Sequence, residues 1–262
     1  MVMINRHPHK IKPILGNAYR LTDEQRFSNL VNELFSFIYR SYIVLLTVHM
    51  ILSPKIYQPS EAKDQVEFSI REDERQGRWT ELFENRNPVA IEIGCGKGRF
   101  IINSAMAYPE INYIGIERAL RYFRIMKERA VRRGLTNVRL LRDDAVFFVE
   151  RYIPNSQVSA YHIYFPDPWP KKRHRKRRLF NTQFINQIAR TLVKGGTLDF
   201  ATDYSEYFDE ILSLVDESDK LTIAENIPDR VKQLGINLTN FEAKYAAEGR
   251  TIHRAAYVKT DQ

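Results

Sequence analysis

The sequence predicts an α/β protein built on a doubly wound, mostly parallel β-sheet. From residue 88 onward, short apolar segments alternate with longer amphipathic ones, which is the pattern of repeated strand–helix units. A glycine-rich turn follows the first apolar segment, as in many nucleotide-binding α/β proteins. Helical connections of this length join parallel strands and cover both faces of the sheet. The 262 residues, 44% of them hydrophobic, suit one such domain with some decoration.

Each element follows from the local pattern of the chain. Five buried strands are predicted over residues 89–93, 111–117, 138–142, 160–165 and 197–202. Five helices are predicted over residues 99–107, 119–133, from 145 onward, 181–193 and 205–215. Gly134 is placed to end the second helix, and the pair Gly195 and Gly196 is placed to end the fourth. The tail segments 221–225 and 252–259 predict an antiparallel pair at one edge of the sheet.

The composition argues against several classes of protein. A single cysteine, Cys95, cannot form an internal disulfide or a cysteine-built metal site, and we interpret it as a small packed residue. The six histidines show no metal-ligand spacing beside carboxylates, so no metal site is predicted. A secreted disulfide scaffold and a zinc enzyme are therefore both disfavoured.

Residues 1–56 differ from the rest and are predicted to be an N-terminal extension, with one domain over residues 57–262. An apolar stretch over residues 34–52 contains Arg40, which favours a helix packed on the domain over a membrane anchor. The stretch begins too late for a signal peptide, so we expect a cytoplasmic protein without membrane association. Met50 offers an alternative start, and the sequence assigns no role to the extension.

The positive charge is concentrated in one place. The net charge of +8 comes from 40 basic and 32 acidic residues. Residues 171–178, which we name the basic segment, contain seven basic residues and no acid; without them, 33 basic residues remain against 32 acidic ones. A local footprint of this kind points to a polyanionic partner.

The turn after the first strand carries the strongest local signal. The strand ends in Glu92 and runs into three glycines at alternate positions, Gly94, Gly96 and Gly98. Glycine lets the backbone approach a ligand closely, and the N-terminus of the following helix faces that ligand. Arg99 stands where a dinucleotide fingerprint has its third glycine, which weakens an NAD-dependent dehydrogenase as an interpretation.

Four consecutive strands each place an acid at their carboxyl end. These acids are Glu92, Glu117, the pair Asp143 and Asp144, and Asp167. The carboxyl ends of the strands form the edge where ligands bind in open α/β sheets. Glu117 follows Glu92 by 25 residues and can accept both hydroxyls of a ribose. A ribose, an exocyclic amine and a cationic tail would suit this set, and S-adenosylmethionine has all three groups.

A stiff loop leads from the fourth strand into the basic segment. It reads Tyr164-Phe165-Pro166-Asp167-Pro168-Trp169-Pro170. Three prolines leave such a loop few conformations, which suits holding a base in place. Trp169 offers a face for stacking or for a cation. Because the basic segment emerges from the predicted active edge, a clamp on a phosphate backbone is favoured over a solvated loop.

Four motifs together resemble the bacterial tRNA (guanine-N7)-methyltransferases. They are Glu92 to Gly96, Phe165 to Trp169 with Lys171 and its arginine-rich continuation, Ala201 to Tyr204, and Thr239 to Glu242. The resemblance covers about residues 88–257 in the same order, and the second and fourth motifs combined are highly specific. It implies a class I, Rossmann-like methyltransferase fold, S-adenosylmethionine as methyl donor, and N7 of the variable-loop guanosine 46 of tRNA as target.

The resemblance also implies the site residues. Glu92, Glu117, Asp144 and Asp167 match the cofactor-binding acids, and Asp167 also matches the active-site position. The three glycines of the turn join them in the predicted cofactor site. The substrate-contacting positions are matched by Lys171, Asp203, Thr239, Asn240, Phe241 and Glu242. The RNA-interaction stretch is matched by Arg173, His174, Arg175, Lys176, Arg177 and Arg178.

Other functions stay open at this point. One is an amino-group methyltransferase acting on adenine, because Asp167-Pro168-Trp169 is similar to the acid–Pro–Pro–aromatic motif of that class, with one proline fewer. Another is an RNA-binding protein that keeps the fold without catalysis. The resemblance implies tRNA as the partner and no obligatory protein subunit, and we expect a monomer or a homodimer.

Overall fold

The computed structural model describes residues 66–68, 79–224 and 239–260. The predicted N-terminal extension and its apolar stretch, residues 34–52, lie outside these ranges, so both stay predictions. Within the described ranges, no helix is long and apolar enough to cross a membrane.

Seven strands and seven α-helices form the described part of the chain. The strands are β1 (Val89–Ile93), β2 (Asn112–Ile116), β3 (Val138–Leu141), β4 (Val158–Tyr164), β5 (Leu192–Thr202), β6 (Leu221–Ile223) and β7 (His253–Lys259). The helices are α1 (Trp79–Phe83), α2 (Arg99–Ala107), α3 (Leu120–Arg132), α4 (Ala145–Tyr152), α5 (Thr182–Thr191), α6 (Ser205–Asp216) and α7 (Asn240–Ala247).

The strands form one sheet in the order β3-β2-β1-β4-β5-β7-β6. Strands β1 to β5 are parallel, and β7 runs antiparallel to both β5 and β6. The predicted mostly parallel sheet with an antiparallel edge pair is therefore confirmed. The strand order reverses between β1 and β4, which makes that point the topological switch where α/β sheets bind ligands.

The core lies on both faces of this sheet. All five residues of β1 and all five of β2 are buried, as expected for central parallel strands covered by helices on both sides. Helix α5 shows the matching pattern, because Phe184, Ile185 and Ile188 form one buried face against the sheet. Gly134 follows α3 with a φ of 60° and ends that helix as predicted.

The end of α5 differs from the prediction. The helix ends at Thr191, and β5 begins directly at Leu192. Gly195 and Gly196 therefore lie inside β5, at an irregularity where β5 has extra residues opposite β4. A Cβ on Gly196 would lie 2.9 Å from the carbonyl oxygen of Val193. The glycine pair thus permits a close backbone approach within a strand, and the prediction of a helix cap there is wrong.

Because β1 to β5 are parallel, their carboxyl ends lie at one edge of the sheet. The four predicted acidic positions share this edge: Glu92 is the penultimate residue of β1, and the others follow β2, β3 and β4. The fold thereby brings together side chains that are up to 75 residues apart in the chain, from Glu92 to Asp167.

Candidate active site

A cavity of about 410 Å³ opens at the carboxyl edge of the parallel strands. Ile93 at the end of β1 and Ile163 near the end of β4 line it, which places it at the topological switch. Its volume lies in the range of small-molecule sites. Seven of the predicted site residues also line it: Gly94, Gly96, Glu117, Asp144, Asp167, Arg177 and Phe241.

The turn after β1 keeps its backbone open. Gly94 and Gly96 have φ angles of 76° and 54°, in the left-handed region that favours glycine. A Cβ on either residue would meet no other atom within 4 Å, so the backbone there faces open space. Gly98, by contrast, immediately precedes α2, and a Cβ on it would lie 2.5 Å from the Met126 side chain of α3. Gly98 does not line the cavity. The first two glycines are therefore the ones whose backbone a ligand can approach.

Glu117 joins this turn to the start of α3. One carboxylate oxygen accepts the N–H of Gly96 at 2.8 Å, and the other accepts the N–H of Ala119 at 2.7 Å. The residue is only 9% exposed, and it lines the cavity. Because each carboxylate oxygen has a second lone pair, Glu117 can accept two further hydrogen bonds from a ligand.

Asp144 is held in place as the N-cap of α4. Its Oδ1 accepts the N–H groups of Val146 at 3.0 Å and Phe147 at 3.2 Å. Its Oδ2 lies 3.5 Å from the guanidinium of Arg118, and Asp143 accepts the N–H of Asp144 at 2.7 Å. The acids at the ends of β2 and β3 are thus both oriented by backbone donors before any ligand binds.

Glu92 has a different environment from the other acids. It is 3% exposed and does not line the cavity, and its carboxylate accepts the N–H of Ile101 in the first turn of α2 at 3.2 Å. Burial raises the pKa of Glu92 to about 8. The structure therefore places Glu92 beneath the glycine turn as a support for α2, and its direct contact with a cofactor stays a prediction.

We expect the contribution of Glu92 to the free energy of unfolding to fall as the pH rises from about 5 to about 8. A carboxyl group with a higher pKa in the folded than in the unfolded chain favours folding while it is protonated. This advantage is complete below the ordinary value of 4.5 and is lost as the pH rises through about 8. Glu92→Gln cannot ionise, so it should remove roughly 3 kcal/mol of this pH dependence. Urea unfolding near pH 5.5 and near pH 8 gives the change in unfolding free energy between the two pH values, for the parent and for Glu92→Gln. An equal change in the two proteins would contradict the expectation.

The loop after β4 is held in a strained conformation. Phe165 and Trp169 both have positive φ angles, 53° and 41°. Residues other than glycine adopt such angles at a cost of about 1–3 kcal/mol each, usually at functional sites. The N–H of Phe165 donates to a carbonyl of β5 at 2.7 Å, and Arg178 donates to the carbonyl of Pro168 at 2.8 Å. These bonds anchor the loop on both sides of Asp167, which is exposed and lines the cavity.

Arg178 is not placed for the phosphate contact that the sequence predicts. It is 4% exposed, forms an ion pair with Glu210 and lies 3.8 Å from Glu206. Its guanidinium carbon also lies 4.6 Å from the ring centre of Tyr207. Helix α6 thus encloses the guanidinium, and the buried side chain supports the loop instead of facing a phosphate.

The other residues of the basic segment lie at the surface. Most of them form a short 3₁₀-helix, Lys172–Arg177. Arg177 lies over the ring of Trp169 at 5.0 Å, and Arg175 pairs with Glu206 at 2.5 Å. Every residue from 171 to 177 is exposed except His174, which is half-buried. Direct contact of these residues with RNA stays a prediction, which their exposure permits.

The motif from Thr239 to Glu242 begins helix α7. The Thr239 hydroxyl caps the helix by accepting the N–H of Glu242 at 3.0 Å, which is half of a capping box. The carboxylate of Glu242 forms an ion pair with Arg254 of β7. Thr239 is buried and Asn240 is the first helical residue, so Phe241 is the member that reaches the cavity.

Phe241 offers a flat apolar surface beside the cavity. It is 48% exposed, and its ring centre lies 6.1 Å from that of Phe165 and 5.8 Å from that of Tyr245. Exposed aromatic rings on which a base can stack are typical of sites for unpaired nucleotides. The cluster therefore suits a nucleobase that enters the cavity.

Two arginines that pair with predicted site residues were missing from the sequence prediction. Arg250 donates to Asp203 at 2.9 Å and lies over the ring of Tyr245 at 4.5 Å, and Arg254 pairs with Glu242. Arg250 also pairs with the nearby Glu248 at 2.8 Å, but Asp203 is 47 residues away, and no local pattern marks either arginine as a partner of the predicted site residues. Only the antiparallel placement of β7 beside β5 joins them to the site.

Cys95 is buried within the glycine turn, as predicted for a packed residue. Its thiol donates to the carbonyl of Glu92 at 3.2 Å, and burial raises the pKa of the thiol well above its ordinary value. These features do not suit a nucleophile. Within the described ranges, no group of three or more His, Cys, Asp or Glu side chains could hold a metal ion.

Comparison with known proteins places the chain among methyltransferases. The family described as "Putative methyltransferase" matches residues 86–255. The tRNA (guanine-N(7)-)-methyltransferase of Geobacter metallireducens is 39% identical over 186 residues, which is 70% of this chain and 87% of that protein. The protein of the same name from Listeria welshimeri is 37% identical over 199 residues, with coverages of 74% and 92%.

Solved structures show the same fold at lower sequence identity. A 30S ribosomal methyltransferase from an uncultured bacterium superposes with a TM-score of 0.51 at 17% identity, over 74% of this chain and 98% of that one. The 16S rRNA methyltransferase KamB gives a TM-score of 0.51 at 15% identity, over 74% and 94%. The chain thus has the fold of these RNA methyltransferases, and the predicted fold class is confirmed.

Proposed function

Because this chain belongs to the tRNA (guanine-N(7)-)-methyltransferase family, we propose that it methylates N7 of a guanosine in tRNA, at position 46 of the variable loop. One structural observation supports the proposal independently of the family: Asp167 and Phe241 line the same cavity as Glu117 and Asp144. A site for a small cofactor and a site for a base therefore share one opening, beside an exposed basic segment.

The residues of the cavity fit S-adenosylmethionine. Gly94 and Gly96 leave their backbone in open space, and Glu117 keeps lone pairs for two ribose hydroxyls. Asp144 and its neighbours at the start of α4 suit an exocyclic amine, and the acids together suit a cationic tail. When bound, S-adenosylmethionine supplies the methyl group from a positively charged sulfonium. The residues named here would hold it, with Glu92 supporting the turn from below.

The chemistry at guanine requires little more than positioning. N7 of guanine carries an exposed lone pair and no proton, so the chain needs no general base. Placing the reacting atoms in contact, at roughly 3 Å, is then the main contribution of the protein. The guanine ring becomes positively charged as N7 is methylated, and a fixed carboxylate favours that change. Asp167 is our candidate for this role, because it is exposed within the cavity between two anchored ends of its loop.

Recognition of guanine over adenine is assigned to two further carboxylates. Asp203 and Glu242 are acceptors for the N1–H and N2–H groups on the opposite edge of guanine. Each forms an ion pair with an arginine, Asp203 with Arg250 and Glu242 with Arg254. An ionised carboxylate only accepts hydrogen bonds, which matches guanine and not the N1 acceptor of adenine.

The tRNA backbone would lie on exposed cations on two sides of the cavity. The basic segment lies on one side, and the outer face of α3 lies on the other, with Arg121 and Arg124 exposed and Lys127 paired with Glu67. Arg132 and Arg133 extend this second surface. Phosphate contacts of this kind release counterions, so we expect the affinity to depend strongly on salt.

Neutralising Lys172, Arg173 and Lys176 to Gln should reduce the salt dependence of tRNA binding. Each lost phosphate contact lowers the slope of log K against log salt by about 0.7–0.9, so we expect a reduction of about two. Filter binding or fluorescence anisotropy over a range of salt concentrations measures the slope.

The matched control removes three exposed charges from the opposite edge of the sheet, by changing Arg86, Arg151 and Lys220 to Gln. This variant loses the same net charge and should keep the slope of the parent. Equal slopes in all three proteins would contradict the assignment of the basic segment.

The proposed activity is tested by incubating the purified full-length chain with unmodified tRNA and methyl-labelled S-adenosylmethionine, followed by nucleoside analysis. We expect N7-methylguanosine, which is lost when guanosine 46 is changed to adenosine. N7-methylguanosine that persists in that tRNA would move the target to another guanosine. Label in N6-methyladenosine would support the amino-group methyltransferase, and cofactor binding without label would support an RNA-binding protein without catalysis.

The location and assembly of the protein belong to the same proposal. Its substrate would be tRNA, which supports a cytoplasmic location. From the resemblance to the bacterial family we propose a monomer or homodimer that acts without another protein subunit.

A further inference from the structure

A row of ionisable side chains crosses the middle of the sheet. In the strand ladder, Glu92 of β1 lies opposite His162 of β4, which in turn lies opposite Asp199 of β5. Partners at one register level project from the same face of a sheet. Glu92 and Asp199 are 3% and 7% exposed, and the His162 side chain is 13% exposed. Burying such groups is costly, and the reaction proposed above does not explain His162 or Asp199.

His162 is the centre of this row. Its Nδ1 lies 3.3 Å from Oδ2 of Asp199 and 3.2 Å from the hydroxyl oxygen of Tyr164. Its ring centre lies 4.6 Å from that of Phe100 in α2, and the same phenylalanine contacts the Tyr164 ring edge-on at 4.9 Å. We name His162, Asp199 and Tyr164 the polar cluster. Phe100 packs against two of its three members, which limits their movement.

The contacts of His162 favour one position for the imidazole proton. Burial raises the pKa of Tyr164 well above its ordinary value, and the negative charges of Asp199 and Glu92 raise it further, so the hydroxyl stays protonated. The carboxylate of Asp199 can only accept hydrogen bonds, and Nδ1 of His162, 3.3 Å from its Oδ2, is placed to donate to it. A proton on Nδ1 would lie between the Asp199 carboxylate and the oxygen of Tyr164, and we take this tautomer as part of the proposal.

The polar cluster lies between the two halves of the site. Tyr164 lines the cavity and immediately precedes the strained loop that carries Asp167. In the ladder, Tyr164 lies opposite Ala201, which lies opposite Arg254, the partner of Glu242. The polar cluster thus begins beside Glu92, the support of the glycine turn, and ends one strand short of Arg254, which pairs with the motif at the start of α7.

We propose that His162, held by Asp199, is a positioning residue for methyl transfer. Its hydrogen bond places the Tyr164 hydroxyl, and through Tyr164 it sets the position of the strand end from which Phe165 and Asp167 enter the cavity. The kinetic part of this inference rests on the proposed function, since it concerns the rate of that reaction.

The first test compares two tyrosines of the same strand. Tyr164→Phe removes the hydroxyl of the polar cluster. Tyr161→Phe removes a buried hydroxyl from the other face of β4, where it is bonded to Thr191 at 2.7 Å. We expect Tyr164→Phe to lower kcat by roughly tenfold and to change the KM for tRNA by less than about threefold. Here kcat is expressed per cofactor-binding site, so that inactive protein is not counted. Tyr161→Phe should keep the kcat of the parent, even where its melting temperature is lower.

The second test uses His162→Gln alone and together with Tyr164→Phe. Members of one cluster act as a unit, so the double variant should be about as slow as either single variant. Equal kcat values in the parent, Tyr164→Phe and His162→Gln would overturn the proposal. Multiplied losses in the double variant, or the same loss in Tyr161→Phe, would overturn it as well.

A readout without turnover separates this inference from the proposed function. Long-range ¹H–¹⁵N spectra of the full-length chain report the tautomer of His162, assigned by comparison with His162→Gln. We expect an Nδ1-protonated ring whose signals shift in Asp199→Asn and Tyr164→Phe, but not in Tyr161→Phe. An Nε2-protonated ring would overturn the cluster, whatever the activity of the parent. A parent that forms no N7-methylguanosine would instead overturn the proposed function and leave this result standing.

Discussion

Asp167→Asn is expected to lower kcat for tRNA methylation by about a hundredfold, with a cofactor Kd within about threefold of the parent. The substitution keeps the shape of the side chain and removes its negative charge. The carboxylate is exposed in the cavity, so the loss of its charge does not leave a buried partner unpaired. The charge is most valuable when the guanine ring becomes positive, which affects the transition state more than the bound ground state.

The experiment needs a measurement that separates binding from turnover. Calorimetry with S-adenosylhomocysteine gives the cofactor Kd, and single-turnover kinetics at saturating tRNA give the chemical step. Asp219→Asn, an exposed acid at the opposite edge of the sheet, is the matched control and should behave as the parent. A chemical step of unchanged rate in Asp167→Asn, with normal cofactor binding, would refute the assigned role.

Arg178→Gln is expected to reduce the free energy of unfolding by about 3 kcal/mol and to lower kcat as well. Arg178 is 4% exposed, pairs with Glu210 and donates to the carbonyl of Pro168. The glutamate is partly exposed and stays hydrated after the change, so the cost is below that of a fully buried pair. The loop that carries Asp167 loses one of its two anchors, which explains the effect on turnover.

Arg175→Gln gives the matching experiment on the surface. Arg175 also pairs with a glutamate of α6, but its side chain is 42% exposed. We expect a stability change below about 1 kcal/mol and an effect confined to the salt dependence of tRNA binding. Chemical unfolding and binding isotherms of both variants distinguish the two roles. An Arg178→Gln protein as stable as the parent, with only a smaller salt slope, would restore the phosphate contact predicted from sequence.

The two arginines show where sequence analysis reached its limit. The spacing of the basic segment is sufficient to predict an electrostatic footprint, but all seven cations look alike in the chain. Whether one of them faces solvent depends on α6, which begins 27 residues after Arg178 and supplies Glu206 and Glu210. The same holds for Arg250 and Arg254, which meet Asp203 and Glu242 only because β7 inserts between β5 and β6.

The fold was predictable because its signals are local. Short buried strands, amphipathic helices and turn glycines set the α/β class, and the order of strands and helices predicted the parallel sheet. The prediction failed at Gly195 and Gly196 because the local pattern there fits two different structures. Glycine at a helix end and glycine at a strand irregularity give one sequence pattern, and only the approach to Val193 and β4 distinguishes them.

The sequence by itself determined the fold class, the acids at the strand ends and the location of the basic segment. Each of these can be predicted from residues that lie close together in the chain. Only the tertiary structure decided which of these groups are buried, which are exposed and which are paired. Glu92 lies beneath the turn, Asp167 is exposed in the cavity, and His162 meets Asp199 across two strands. Desolvation and charge pairing depend on distances between residues far apart in sequence, and those distances exist only once the chain has folded.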